Sequence, residues 1–404
     1  MTNRVFAGVI LLLLSAGWAA NHFVSMIVVL RDQLGVSSVL LNGAFGIYAV
    51  GLLPGLLGGG VLADRIGARP VVLTGGVIAA VGNFSLLLWH EGSGLLVGRF
   101  IVGLGVGLAV SAGTAWAGRL RGASGITLAG IILTLGFAIG PIASGIFAHF
   151  LPDSLVTTAP FAISSILSLV AVIISAVLGD IRETPSPTAT TPVPPAGGTG
   201  SAPGGGGGGG NNRASQRSLR KALAISIPMA VWVFSTATTS MVILSARASS
   251  HLENAVLLPG IAAFLFFSAG LSAQTLGRKM QWGRTSGIIG ALCAATGFLL
   301  AGLAGEITPV WLFVLTSLIL GVAYGLSLRE GLLGIEAYTP TAQRGTAIGI
   351  YYVFTYLGFG LPVLLDALSP TLGATTPLLI VAVLAVGSAA IRALQIKRGY
   401  LPAR

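Results

Sequence analysis

The chain has 404 residues, of which 54% are hydrophobic and only 8% charged, with a formal net charge of +11. A soluble domain carries roughly 25% charged residues, so this chain cannot wet its own surface and must face lipid. Its single cysteine, Cys293, excludes an intramolecular disulfide and a cysteine-rich metal site.

Apolar runs long enough to cross a bilayer need about 20 helical residues at 1.5 Å each. Twelve occur in chain order: 5–30, 39–63, 70–90, 94–118, 124–149, 158–179, 222–246, 255–277, 285–304, 309–333, 345–368 and 374–394. Helices are expected because backbone groups in lipid must be satisfied within the segment. The first run is too long for a signal peptide, and no clear cleavage site follows it. It places Ser15, Trp18, His22 and Ser25 at helical spacing and has no acid before Asp32. His22 is either a titratable group or a neutral hydrogen-bonding one lining a cavity.

Between the second and third runs lies "GGVLADRIGARPVVL". Gly60 would let two helices approach closely. Asp64 can receive the positive end of a neighbouring helix and pair with an arginine such as Arg65 or Arg69. The fourth run contains "GRFIVGLGVG", which places Arg99 within the apolar span. Such a charge is a functional candidate, unless it snorkels to the interface. The fifth contains "GFAIGPIASG". Gly136, Gly140 and Gly145 clear a face for tight packing, and Pro141 removes an amide donor.

Residues 184–214 are rich in proline and glycine and read as a flexible linker. The expected organisation is a six-helix bundle at 1–183, a disordered cytoplasmic linker at 184–214 and a second six-helix bundle at 215–404. The seventh run offers Trp232, Ser235, Thr236 and Thr239. After the eighth, "LGRKMQWGRTSG" keeps basic residues but has no aspartate. The tenth carries Arg329 and Glu330 in its last third. Adjacent helical residues point about 100° apart, so the two are not expected simply to neutralise each other. Glu330 is the one acid placed within a span away from its ends, which makes it a candidate proton carrier or a structural charge at a gate. The eleventh run sets Tyr352, Thr355, Tyr356 and Phe359 at i, i+3, i+4 and i+7.

With the N-terminus in the cytoplasm, the inner segments hold eighteen of the 22 Lys and Arg residues, from Arg4 through Arg392 to Arg404. The outer ones hold only Arg31 and Arg247, and Arg99 and Arg329 fall in neither group. The charge is therefore a topology signal beside anionic lipid, not a nucleic-acid patch.

The loop "GGVLADRIGARPVVL" resembles the signature of the major facilitator superfamily, with Gly60, Leu62, Ala63, Asp64, Arg65 and Gly67 matching and Ala68 departing. "GFAIGPIASG" is similar to that superfamily's antiporter motif, and Arg99 with Gly103 to its Arg-x-x-x-Gly pattern. The resemblance covers nearly the whole chain apart from the linker and points to the twelve-helix drug/proton antiporter-like branch. It implies an all-α polytopic fold of two six-helix bundles with pseudo-two-fold symmetry. It further implies an inner-gate latch at Asp64, a link of Arg99 to proton transfer, and a cavity lined from several helices, which Phe137 and Tyr324 would join. The mostly apolar lining suits a lipophilic or amphiphilic solute. The function expected is proton-coupled efflux of such a small-molecule substrate by a monomer in the lipid bilayer of the plasma (cell inner) membrane, with both termini cytoplasmic. No enzymatic activity, cofactor, metal site or nucleic-acid partner is expected, since no nucleotide-binding loop, catalytic triad or metal constellation occurs. An uptake carrier for an organic anion, a lipid-precursor translocase and a non-transporting membrane sensor remain open.

Overall fold

A computed structural model describes residues 2–178, 218–249, 255–283, 285–340 and 343–400. The expected linker at 184–214 lies outside the described residues. Among those described there is no strand. Twelve helices are long and apolar enough to cross a membrane: α1 (Asn3–Leu34), α2 (Ser38–Ile66), α3 (Ala68–Leu88), α4 (Gly92–Gly122), α5 (Ser124–Phe150), α6 (Ala159–Leu178), α7 (Leu219–Ala248), α8 (Ala255–Lys279), α9 (Ser286–Leu303), α10 (Val310–Tyr338), α11 (Ala347–Leu372) and α12 (Thr376–Lys397). Each coincides with an apolar run of the sequence to within five residues at either end. The side where α1 begins and α12 ends is called terminal below, and the opposite side distal.

Large apolar side chains such as Leu88, Ile173, Val177, Val383 and Leu384 stay exposed on the outside. That belongs to a lipid-facing surface, since a soluble protein rarely leaves so much apolar area uncovered. The turn from α2 to α3 is a single residue, Gly67, at φ 92°. Only glycine takes that conformation without steric cost, which explains its place in the loop motif.

The two six-helix halves repeat one packing device. In the first, α2 and α4 approach so closely that a Cβ at Gly103 would run into the carbonyl of Tyr48, and one at Gly107 into that of Leu52. In the second, α8 and α10 do the same: Gly321 lies against the carbonyl of Phe266 and Gly325 against that of Gly270. Small residues at such crossings let backbones gain dispersion contacts that lipid cannot supply.

A proline inside a helix leaves the carbonyl four residues earlier without a donor, and at two such prolines a side chain from a neighbouring helix fills the gap. Pro141 frees the carbonyl of Phe137, which accepts from Asn21 Nδ2 of α1 at 2.7 Å. Pro228 frees that of Ala224, which accepts from Gln395 of α12 at 3.2 Å.

The halves meet along two helix pairs. α2 and α11 touch through Asn42 and Asp366, Phe45 and Phe359, and Leu57 and Gly349. α5 and α8 touch through Gly145 and Val256, Ile142 and Gly260, and the stacked rings of Phe137 and Phe267. The distal part of α1 also reaches α8, while its terminal part packs against α3, α5 and α6 of its own half.

Candidate functional site

The seam between the halves is built from rings. Phe359 of α11 lies 5.0 Å from Phe45 and 5.8 Å from Tyr48 of α2. It also lies 4.9 Å from Phe234 of α7. Tyr356 stacks on Phe234 at 4.7 Å, and Tyr352 follows it at 6.2 Å. Tyr324 of α10 joins this group to Phe266 and Phe267 of α8, and Phe267 meets Phe137 of α5 at 6.0 Å. The sequence singled out Phe137, Tyr324, Tyr352, Tyr356 and Phe359. It missed Phe45, Tyr48, Phe234, Phe266 and Phe267, because a lone ring in an apolar run carries no mark of which way it faces.

Two expected lining residues on α7 make their contacts within their own half. Trp232 turns to Phe298 of α9 within its own half, at 5.8 Å. Thr236 spends its hydroxyl on its own helix, donating to the carbonyls of Trp232 and Val233. Just beyond, α7 widens into a π-helical turn, Thr239–Leu244. Such turns are rare and frequently occur at functional sites.

On α1 the four residues spaced as one polar face divide between different partners. Ser15 donates to its own helix at Leu12. Trp18 presents its backbone to Gly140. His22 is fully buried, 2.8 Å from Asn83 of α3 and edge-on to Phe161 of α6. Ser25 donates to the carbonyl of Pro141 at 2.7 Å. With Asn21 this makes two hydrogen bonds between α1 and α5 at the proline. The glycines of α5 serve two contacts. Gly136 and Gly140 lie against the backbone of α1, where a Cβ at Gly140 would be 3.0 Å from the carbonyl of Trp18. Gly145 lies against the other half, where a Cβ would be 3.0 Å from the carbonyl of Val256.

Arg99 is 0% exposed, so it does not snorkel. Its guanidinium lies between the rings of Phe23 and Tyr48, 4.5 Å from each centroid, and donates to the carbonyl of Ala20 at 3.2 Å. The ring faces offer it electron density in place of a carboxylate. Among the described residues no carboxylate pairs with it, and its Nε and Nη1 have no partner. Since Tyr48 also packs on Phe359, this buried cation stands one ring away from the seam.

The terminal-side motif of the first half is loosely held. Asp64 reaches Arg119 of α4 at 3.9 Å, with its side chain 79% exposed. Arg65 is exposed, and Arg69 donates to the carbonyl of Ala176 on α6 at 2.7 Å. Gly60 faces Ser111 at an ordinary distance of 3.4 Å. The close approach expected of it falls to Gly55 and Gly59, which lie against the backbone of α4.

The second half differs, and here one reading of the sequence is corrected. Arg329 and Glu330 pair at 2.8 Å, and the same Arg329 Nη1 lies 3.4 Å from Ser286 Oγ of α9. Arg392, counted among the terminal loop cations, is 1% exposed inside α12 and reaches Glu330 at 3.0 Å. Its long side chain fits because Gly287 of α9 leaves room beside it. Ser286 donates to the same carboxylate at 2.6 Å, and Arg329 also donates to the carbonyl of Trp282 in the loop before α9. Glu330 thus ties α9, α10 and α12 together, and both its oxygens are occupied.

The fold and site define a polytopic helical membrane protein of two similar halves around an aromatic seam. The sequence profile of the Major Facilitator Superfamily matches residues 9–362, and the chain belongs to that family. Its relatives include the multidrug resistance protein MdtL of Klebsiella pneumoniae (strain 342), 35% identical over 107 residues, which are 26% of this chain and 27% of the relative. MdtL of Shewanella sp. (strain ANA-3) is 33% identical over 78 residues, 19% of this chain and 20% of the relative. The matches therefore span about a quarter of these relatives' length. Among solved structures, a POT family transporter in complex with a thioalcohol-conjugated peptide superposes at a TM-score of 0.74 with 16% identity, covering 98% of this chain and 96% of that one. The peptide transporter POT in complex with sulfate gives 0.75 at 14% identity, with 98% and 96% covered. At these identities the likeness is one of fold.

Proposed function

We propose that the chain is a secondary active transporter that exports a small lipophilic or amphiphilic solute by alternating access, coupled to protons. The aromatic seam carries this reading: rings from both halves meet across it, and such walls bind apolar or flat solutes better than hydroxyl-rich ones. The partial similarity to multidrug resistance proteins supports the direction. In this reading the halves rock about the seam. The contacts Asn42–Asp366 and Phe45–Phe359 between α2 and α11, with those of α5 and α8, close the distal side and open in exchange for further contacts on the terminal side. In this reading both termini are cytoplasmic, which the excess of Lys and Arg on the terminal side supports. The protein works as a monomer without enzymatic activity.

Asp64 is proposed as a latch that forms when the terminal side closes, which fits its loose, exposed pairing with Arg119 here. Glu330 is proposed as a clasp within the second half rather than a proton carrier, since two arginines and a serine hold it. Flux of a panel of lipophilic and hydrophilic solutes in proteoliposomes with an imposed pH gradient tests the reading. Gradient-dependent movement of lipophilic solutes is expected. Binding without flux would favour a sensor on the same fold, and gradient-driven uptake of an organic anion would reverse the direction.

A further inference from the structure

The distal mouth of the seam holds a cavity of about 460 Å³ between helices of both halves. Its apolar wall includes Val24, Ile27, Met241 and Pro259, and its lining carries Arg31, Arg247, Glu306 and Asp366. A hydrogen bond crosses from half to half here: Asn42 Nδ2 of α2 donates to Asp366 Oδ2 of α11 at 2.6 Å. Both residues are half-buried and line the cavity. The next α2–α11 contacts toward the middle of the membrane, Gly46 against Val363 and Phe45 against Phe359, are apolar.

We propose that Asn42 and Asp366 form a pH-sensitive distal latch. It holds the halves together while Asp366 is ionised and lets them part when Asp366 takes a proton from the distal side. A hydrogen bond to a carboxylate is roughly twice as strong as one between neutral groups. Protonation therefore weakens the contact without breaking the surrounding packing. The cavity supplies the path for the proton. Among the described residues, the other charged groups lining the cavity with Asp366 are Arg31, Arg247 and Glu306. Arg31 of α1 is bonded to Asp32 at 2.7 Å. Arg247 of α7 donates to the carbonyls of Ala301 and Ala374 at 2.8 Å. Glu306, between α9 and α10, is exposed. From α8 the cavity receives only Pro259, and on α11 itself Asp366 has no titratable neighbour in the lining. Asp366 lies on the distal side of the aromatic seam, so its proton arrives from and returns to the distal solution. The latch sets how often the distal side opens; it does not carry the driving proton across. This rests on the reading that the halves alternate.

The test uses spin labels at Val39 and Leu372, exposed at the distal ends of α2 and α11, in a chain with Cys293 replaced by serine. Distances between them are measured in lipid nanodiscs at the same pH on both sides and without any solute. The wild-type chain should shift toward longer distances as the pH falls, by roughly fivefold to tenfold in the open population. Asp366→Asn should be more open at neutral pH and insensitive to pH, while Arg31→Gln and Glu306→Gln keep the wild-type response. Asn42→Asp should reverse the sign: two carboxylates repel at neutral pH, and one proton lets them bond. A wild-type pH response surviving in Asp366→Asn, or an Asn42→Asp chain that opens with acid like the wild type, overturns the latch. Failure of gradient-driven flux would instead count against the transport reading and leave these distances unchanged.

Discussion

Near the terminal end of each bundle a carboxylate pairs with arginine, and the two carboxylates, Asp64 and Glu330, are held in opposite ways. In the first half the acid sits in the loop and the base on the fourth helix: Asp64, 79% exposed, reaches Arg119 at 3.9 Å. In the second the loop has lost its aspartate, and the acid has moved into the tenth helix. Glu330 is buried there between Arg329 and Arg392, while Arg329 bonds the loop carbonyl of Trp282. An exposed pair is worth little and breaks easily, whereas a buried and fully bonded one is costly to disturb from either side. The same fold can therefore keep a movable contact in one half and a fixed one in the other. Arg99 makes a third case, a buried cation held by ring faces with no acid to strand among the described residues.

The largest expected effect comes from breaking the fixed contact. Glu330→Gln should leave Arg392 buried without its counter-charge and cost about 3–5 kcal/mol, seen as a lower melting temperature of the purified protein. The double variant Glu330→Gln with Arg392→Met removes both charges and should recover most of that loss. Full stability in the single variant would mean that the clasp does not form.

The packing device common to both halves should respond alike. Gly103→Ala and Gly321→Ala each drive a methyl group into a backbone carbonyl across a helix crossing, so each should cost about 1–3 kcal/mol. A large difference between them in thermal melts would break the symmetry of the α2–α4 and α8–α10 pairs.

Removing the other buried cation should be milder. Arg99→Met leaves no unpaired carboxylate and loses mainly the ring contacts, a change within about 2 kcal/mol. The matching change Arg392→Met strands Glu330 and should approach the cost of Glu330→Gln. Equal losses in the two methionine variants would mean that Arg99 has an anionic partner.

The smallest effect on stability belongs to Asp64→Asn, within about 1 kcal/mol. Its effect is expected on the conformation instead. Labels at Ile66 and Ile348, at the terminal ends of α2 and α11, should show more terminal-side opening by double electron–electron resonance. Unchanged distances in the folded variant would remove the latch role.

Much of the fold was legible because an apolar run of about 20 residues has few alternatives in a bilayer. The twelve runs, the glycine of the one-residue turn and the small face of α5 all follow from local chemistry. The pairing of charges was harder to read. Arg392 sits two residues before the end of the last apolar run, where it looks like a topology signal, and its partner lies 62 positions away on another helix. Asp366 was passed over for the same reason, near the end of the eleventh run, although it makes a hydrogen bond between the halves. Asn21 gave no periodic signal, yet it answers directly to the carbonyl that Pro141 leaves open. That rule can be applied to a sequence: a buried amide or hydroxyl is worth seeking near the residue four positions before each proline of a span.

The difference between a fixed and a movable carboxylate is tested most directly by the pH dependence of gradient-driven flux in the Glu330→Gln, Arg392→Met double variant. That chain keeps its packing but has no acid within α10 away from the helix end. A clasp predicts flux with the wild-type dependence on the gradient. Loss of the gradient response with solute exchange intact would contradict it and make Glu330 the proton carrier.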